Sequence, residues 1–213
     1  MRNERGLTLA EILVTVSVLS IISSGFYLVM LSGTRSSRET RSIAQVAEEA
    51  RLGFNRMMRD TREADSITSP ASTSYTIRVD FDHDGLYETP NAQGDYEILT
   101  YAYDATGERI TLSATGAGTQ TLIDGVELVP GREMFTYSSN RLEYDWDGDG
   151  VTTYAELQNA GSQGVTLTSS QIQALLSSVN FSMRILDDSC TETGSGDCAR
   201  TVFYGQAQLR NKR

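Results

Sequence analysis

From Leu7 to Leu31 the chain is apolar, and Glu11 is the only charged side chain in the run. As a helix this run extends roughly 37 Å, enough to cross a hydrocarbon layer of about 30 Å. The following Gly33-Thr34-Arg35-Ser36-Ser37-Arg38 contains no proline, so the helix can continue. Ile43, Ala47, Ala50, Phe54, Met57 and Thr61 then recur at three- and four-residue spacing, with Arg51, Asn55, Arg59 and Arg62 between them. The pattern predicts one helix over 7–64, membrane-embedded over 7–31 and amphipathic in its second half.

Beyond Ser66-Ile67-Thr68-Ser69-Pro70 the period falls from 3.6 to 2. Tyr75, Ile77, Val79 and Phe81 alternate with polar residues, as do Glu97, Leu99, Tyr101 and Tyr103, then Ile110 and Leu112. Thr121–Ile123, Glu133–Tyr137, Val179–Ile185 and Val202–Leu209 predict further strands, with turns at Asp104-Ala105-Thr106-Gly107 and Val129-Pro130-Gly131. Ser169–Ser177 predicts a short helix capped by Ser169 or Ser170. No βαβ alternation appears. The expected fold is therefore α+β, a long N-terminal helix packed on a C-terminal antiparallel β-sheet domain over 65–213 with two Asp-rich loop insertions.

Two loops carry the densest chemistry. Asp145-Trp146-Asp147-Gly148-Asp149-Gly150-Val151-Thr152-Thr153-Tyr154-Ala155-Glu156 fits the twelve-residue EF-hand calcium loop at each defining position. Asp145, Asp147 and Asp149 supply carboxylates, Gly150 the sharp turn, Val151 a carbonyl, Thr153 a hydroxyl or a water, and Glu156 a bidentate carboxylate. No strongly amphipathic helix precedes the loop, so a sensor pair of EF-hands is not expected. The competing reading is an Asx-rich hairpin turn. Asp80, Asp82 and Asp84 repeat the spacing before Gly85, with Glu88 at loop position nine and Asn91 where the closing carboxylate would stand. Calcium and a metal-free turn are both open readings there. His83, the only histidine, suits solvent better than a transition metal, because the oxygen donors around it select a hard cation.

The formal charge of −10, with no basic patch beyond the helix, argues against a nucleic-acid partner. With one histidine, neither a Ser-His-Asp nor a Cys-His arrangement is convincing, and no phosphate-binding glycine loop follows a strand. No enzymatic activity is expected. Arg2 and Arg5 precede the apolar run while Arg35, Arg38 and Arg41 follow it, so charge alone leaves topology open. The two cysteines, Cys190 and Cys198, enclose a polar loop and are expected to form a disulfide, with two free thiols as the alternative. A disulfide places the C-terminal domain in an oxidising compartment outside the cytoplasm.

The N-terminal stretch resembles type IV prepilins and type II secretion pseudopilins: a short charged leader ending in Gly6, then Leu7-Thr8-Leu9-Ala10-Glu11, then the apolar run. The resemblance implies a leader over 1–6 cut by a prepilin peptidase, Leu7 as the new methylated N-terminus, and Glu11 as the carboxylate that pairs with that terminus during assembly. Leu7 departs from the Phe or Met usual there. Leu28 stands where major pilins often carry a helix proline, which tilts the resemblance toward a minor subunit. Arg56–Ala64 and Leu209-Arg210-Asn211 are similar to segments of W- and J-type minor pilins. Implied partners are other minor and major pilins or pseudopilins, the peptidase and an inner-membrane assembly platform. The implied location is a single pass in the inner membrane, then a cell-surface pilus or periplasmic pseudopilus. Outside the resemblance, the chain reads as a plain signal anchor carrying an extracytoplasmic calcium-dependent binding module or hydrolase.

Overall fold

The structure, a computed structural model, describes residues 9–91, 94–185 and 201–210, of which 35–43 by backbone alone. The chain divides into two compact units, Met1–Ala44 and Gln45–Arg213. Helix α1 (Leu9–Glu63) contributes to both. Leu9–Thr34 has a mean hydropathy of 2.2 and is long and apolar enough to cross a membrane. Its hydroxyl side chains turn inward on the helix itself: Thr15, Ser17, Ser20 and Ser24 each donate to the carbonyl four residues earlier at 2.7–2.9 Å. These bonds leave few polar atoms facing lipid, where an unsatisfied donor is strongly disfavoured.

The second unit is the α+β body expected from the change of period. One sheet is an antiparallel meander of β1 (Ser66–Ile67), β2 (Ser74–Arg78), β3 (Ile98–Asp104), β4 (Arg109–Ala114) and β5 (Thr119–Ile123). The other sheet takes β6 (Val126–Glu127), β7 (Phe135–Ser139), β8 (Thr152–Thr153), β9 (Leu176–Ile185) and β10 (Thr201–Gln208). Its strand order is β10-β9-β7-β8, and β6 pairs β9 beyond the end of β7. Two short helices complete the unit, α2 (Tyr154–Gln158) and α3 (Ser169–Leu175). Thr168, not Ser169 or Ser170, caps α3. Its Oγ1 accepts from Gln171 N at 3.3 Å, and the Gln171 side chain reaches back to accept from Thr168 N at 2.8 Å, a capping box. The helix ends at Leu175 because Leu176 already belongs to β9.

In the second unit the predicted stripe of α1 is the buried face. Ala50, Phe54, Met57 and Thr61 are buried, while Arg51, Asn55, Arg59 and Arg62 are exposed. Phe54 packs against Phe181 of β9 and Phe203 of β10, with ring centroids 6.0 and 5.5 Å away. Tyr75 of β2 stacks on Tyr101 of β3 at 5.3 Å and meets Phe135 of β7 edge-on at 4.9 Å, so the aromatic cluster joins both sheets. Two polar links run between helix and first sheet inside this apolar setting. Thr61 Oγ1 donates to the Met57 carbonyl at 2.7 Å, which leaves it to accept from the Tyr75 hydroxyl at 2.9 Å. Tyr101 donates to Asp60 at 2.7 Å. Burial, and then the Asp60 charge, push the Tyr101 hydroxyl far above its ordinary range, so it remains a donor. Asp60 lies in the charged segment Arg56–Ala64, yet it is only 3% exposed and takes Arg59 as a further partner at 3.1 Å.

Gly53 sets how closely α1 approaches β5. A Cβ there would lie 2.5 Å from Ile123 Cγ1 and 2.7 Å from the Leu122 carbonyl oxygen, and a backbone atom cannot swing aside. In an unpacked helix Gly→Ala gains about 1 kcal/mol. Here the sign reverses: Gly53→Ala is expected to destabilise the protein by about 1–3 kcal/mol through overpacking. Urea unfolding of the wild type and variant measures this, and a stabilised variant would contradict the close approach.

Candidate functional site

Glu11 stands in the first described turn of α1, where a carboxylate is favoured by the helix dipole. It belongs to the first unit, on a helix whose large apolar side chains are exposed, Leu9 by 79% and Ile21 by 73%. An apolar surface of this extent needs lipid or neighbouring helices around it. Residues 1–27 match the family model described as the prokaryotic N-terminal methylation motif. The chain thus carries a type IV pilin-like prepilin motif, which suggests a structural subunit that assembles with other pilin subunits after the prepilin peptidase has acted. Gly6 and Leu7, the expected processing residues, lie outside the described residues. A search of curated proteins finds no match to this chain.

The second candidate site is the loop Asp145–Glu156. A turn of 3-10 helix, Leu142–Tyr144, leads in, and the last loop residues form β8 and the start of α2. Asp145, Asp147 and Glu156 each offer a carboxylate oxygen within 4.8 Å of the others. Asp149 stands outside that group, its Oδ1 accepting from Val151 N at 2.8 Å. The loop is built by its own backbone donors: Asp145 Oδ1 accepts from Gly148 N at 2.8 Å and Oδ2 from Gly150 N at 2.9 Å. Gly148 and Gly150 take φ of 76° and 88°, the left-handed region that the sharp turn requires. Glu156 closes the ring, with Oε1 accepting from Trp146 N at 2.9 Å and Oε2 from Thr153 N at 2.7 Å. Thr153 is the N-cap of α2 and Glu156 the third residue of a capping box, so one side chain closes the loop and starts the helix. The Thr153 N–H foremost, against the effect of burial, and then the Thr153 hydroxyl and the Trp146 and Asp147 N–H groups hold the Glu156 carboxyl below the usual range. It is a carboxylate at neutral pH.

The loop at Asp80 repeats this construction. Asp80, Asp82 and Asp84 offer oxygens within 4.8 Å of one another. Asp80 Oδ2 accepts from Gly85 N at 3.0 Å, as Asp145 does from Gly150, and Asp84 Oδ1 accepts from Leu86 N at 2.7 Å, as Asp149 does from Val151. The fourth position is left-handed in both loops, Gly148 in one and His83 with φ 62° in the other. His83 is exposed.

The closing residue differs in origin. Glu88 is not in the carboxylate group; its N–H donates to Glu97 Oε2 at 2.9 Å. Glu97, fully buried just before β3, accepts from Phe81 N at 3.0 Å, the bond that Glu156 takes from Trp146 N at the matching loop position. It also accepts from the Asn91 amide at 3.0 Å. Burial acts to raise the Glu97 carboxyl, but the donors from Glu88, Asn91, Phe81 and Asp82 outweigh it and hold it below the usual range. Sequence reasoning placed Glu97 in the inward register of a strand with Leu99 and Tyr101 and assigned it no role. A carboxylate among inward apolar positions was the available signal.

Both carboxylate groups are oxygen-only donor sets, which suit a hard divalent cation and not a soft one. Burial foremost, against the Asp84 N–H, and then the neighbouring Asp84, Glu97 and Asp80 carboxylates raise the Asp82 carboxyl above its ordinary range. Cys190 and Cys198 lie outside the described residues.

Glu97→Ala removes the acceptor of the Phe81, Asp82 and Glu88 N–H groups and of the Asn91 amide at once. An unsatisfied buried donor costs about 1–3 kcal/mol, so a loss of about 3 kcal/mol is expected in urea unfolding. Amide exchange at Phe81 and Glu88 should speed up. Glu88→Ala keeps those bonds and should cost less than about 1 kcal/mol. Equal effects of the two substitutions would contradict the closing role of Glu97.

Proposed function

We propose that this chain is a minor type IV pilin or pseudopilin of the W or J type, a structural subunit that acts near the filament tip in the complex that initiates assembly. The observation that carries the reading is the methylation motif joined to an apolar helix that continues into an α+β body. In this reading the chain first sits as a single-pass inner-membrane protein with its C-terminal domain outside the cytoplasm. It then enters a surface pilus or periplasmic pseudopilus beside other minor and major subunits. Cleavage follows Gly6, and Leu7 carries the new methylated amine.

Glu11 and that amine, on the same or an adjoining subunit, attract each other strongly because lipid screens charge poorly. A shift of one helical turn, about 5.4 Å, would separate the charges, so the pair fixes the axial position of an incoming helix. The absent helix proline, the acidic body and the two inserted loops support the minor role. In the family this resembles, tip-most K-type subunits usually lack the glutamate, so Glu11 fits a place just below the tip.

In the same reading calcium is held by Asp145, Asp147 and Glu156, with Asp149, Val151 and Thr153 completing the EF-hand pattern, and a second ion by Asp80, Asp82 and Asp84. The ion would neutralise carboxylates that otherwise repel one another across each loop. A Cys190–Cys198 disulfide would further restrict the unfolded chain, by about 2–3 kcal/mol for so short a loop.

Mass spectrometry of the protein from its host should find a mature chain beginning with methylated Leu7. Glu11→Gln should be cleaved normally yet lower filament number and weaken crosslinking to other minor subunits. A chain that retains Met1, or Glu11→Gln filaments equal to wild type in number and content, would overturn the reading.

Calcium is tested separately. A ligand that binds only the folded state adds about 2.7 kcal/mol at a hundredfold excess over Kd, so calcium and chelator should give different melting temperatures. The Asp147→Ala, Glu156→Ala double variant should lose most of that difference. Identical melting of the wild type in both conditions would exclude both loops.

A further inference from the structure

On one face of the second sheet the even-numbered residues of β9 and β10 form the floor of a groove of about 750 Å³, within the roughly 300–1,000 Å³ of small-ligand clefts. Register sets its floor: Thr136, Asn180 and Gln206 lie side by side across three strands, and Ser182 lies opposite Tyr204 in the next row. Such a face of amides and hydroxyls is not required by the core, which the odd-numbered residues Val179, Phe181 and Met183 fill from the other side.

One observation points to a ligand. Ser182 is only 9% exposed, and its Oγ has no hydrogen-bond partner among the described residues. A buried hydroxyl without a partner is disfavoured, and this one lies among the groove-lining residues. Beside it Tyr204 is 55% exposed, with the Arg132 guanidinium 5.1 Å from its ring centroid.

The charge balance narrows the chemistry. Arg132 and Glu133 stand together at the wall, so the lining carries one cation and one anion, which offset each other. Recognition then falls to Asn180 and Gln206, which donate and accept from the same side chain, and to hydroxyls that do the same. A ligand matched to such groups presents hydroxyls that also donate and accept, together with a flat C–H face for the aromatic ring. We propose that this groove binds a neutral oligosaccharide, with Tyr204 as the platform and Asn180, Ser182 and Gln206 as hydrogen-bonding partners.

The test uses the full chain in lauryldimethylamine oxide micelles, a detergent without sugar, and saturation-transfer NMR with maltotriose, cellotriose and triacetylchitotriose. At least one should receive magnetisation at its ring protons. Tyr204→Ala, an exposed position, should weaken that binding tenfold or more. Ser182→Ala should weaken it several-fold while leaving the melting temperature unchanged or higher, since the lost hydroxyl has no partner to abandon among the described residues. A merely structural serine would move the melting temperature and not the binding. Absence of transfer to all three sugars, wild-type affinity in both variants, or binding of tetraglutamate in place of the sugars would overturn the proposal.

Discussion

The body of this protein depends on one helical face being buried against two sheets. Ala50, Gly53, Phe54, Met57 and Thr61 repeat along α1 so that small residues allow approach and large ones fill the space between. Gly205 of β10 plays the same part as Gly53 on the opposite sheet, since a Cβ there would lie 2.7 Å from the Phe54 ring. The Tyr101–Asp60 and Tyr75–Thr61 hydrogen bonds then fix the helix in rotation and along its axis, because apolar contact alone is not directional. Without this face the meander would keep only its contacts with the second sheet, such as Tyr75 on Phe135.

The Asp-rich loops answer a different constraint. Three carboxylates within one short turn repel each other, and the loops counter this with backbone N–H groups aimed at Asp80, Asp84, Asp145 and Asp149. A further acidic residue closes each loop by accepting from its second residue, Glu156 from within the loop and Glu97 from the approach to β3. The outcome is a pair of preorganised oxygen clusters, and preorganisation lowers the entropic cost of holding a cation.

These features divide the chain by environment. Leu9–Thr34 suits lipid or the packed helices of a filament, with its serines and threonines bonded back to the helix. The unit from Gln45 onward is built for water, with arginines on the open side of α1 and carboxylates on its loops. A subunit of the proposed kind needs both: an apolar helix that its neighbours can accept, and a body that remains folded when that helix leaves the bilayer.

What the sequence determined by itself is what local periodicity and local motif encode. The apolar run, the stripe from Ala50 to Thr61, the change to period two and the N-terminal motif were all legible, since each depends on residues a few positions apart. So was the twelve-residue loop, because its closing Glu156 lies within it. Tertiary structure alone decided the rest. Asp60 reads as one charge among several until β3 brings the Tyr101 hydroxyl to it. Glu97 closes the Asp80 loop, whose own closing position holds Asn91, because strand pairing, not loop spacing, carries it there, through Val79 N donating to the Glu97 carbonyl at 2.9 Å. The row of Thr136, Asn180 and Gln206 likewise exists only through the register of three strands distant in sequence. Pattern records which face a residue takes; only long-range packing decides what that face meets.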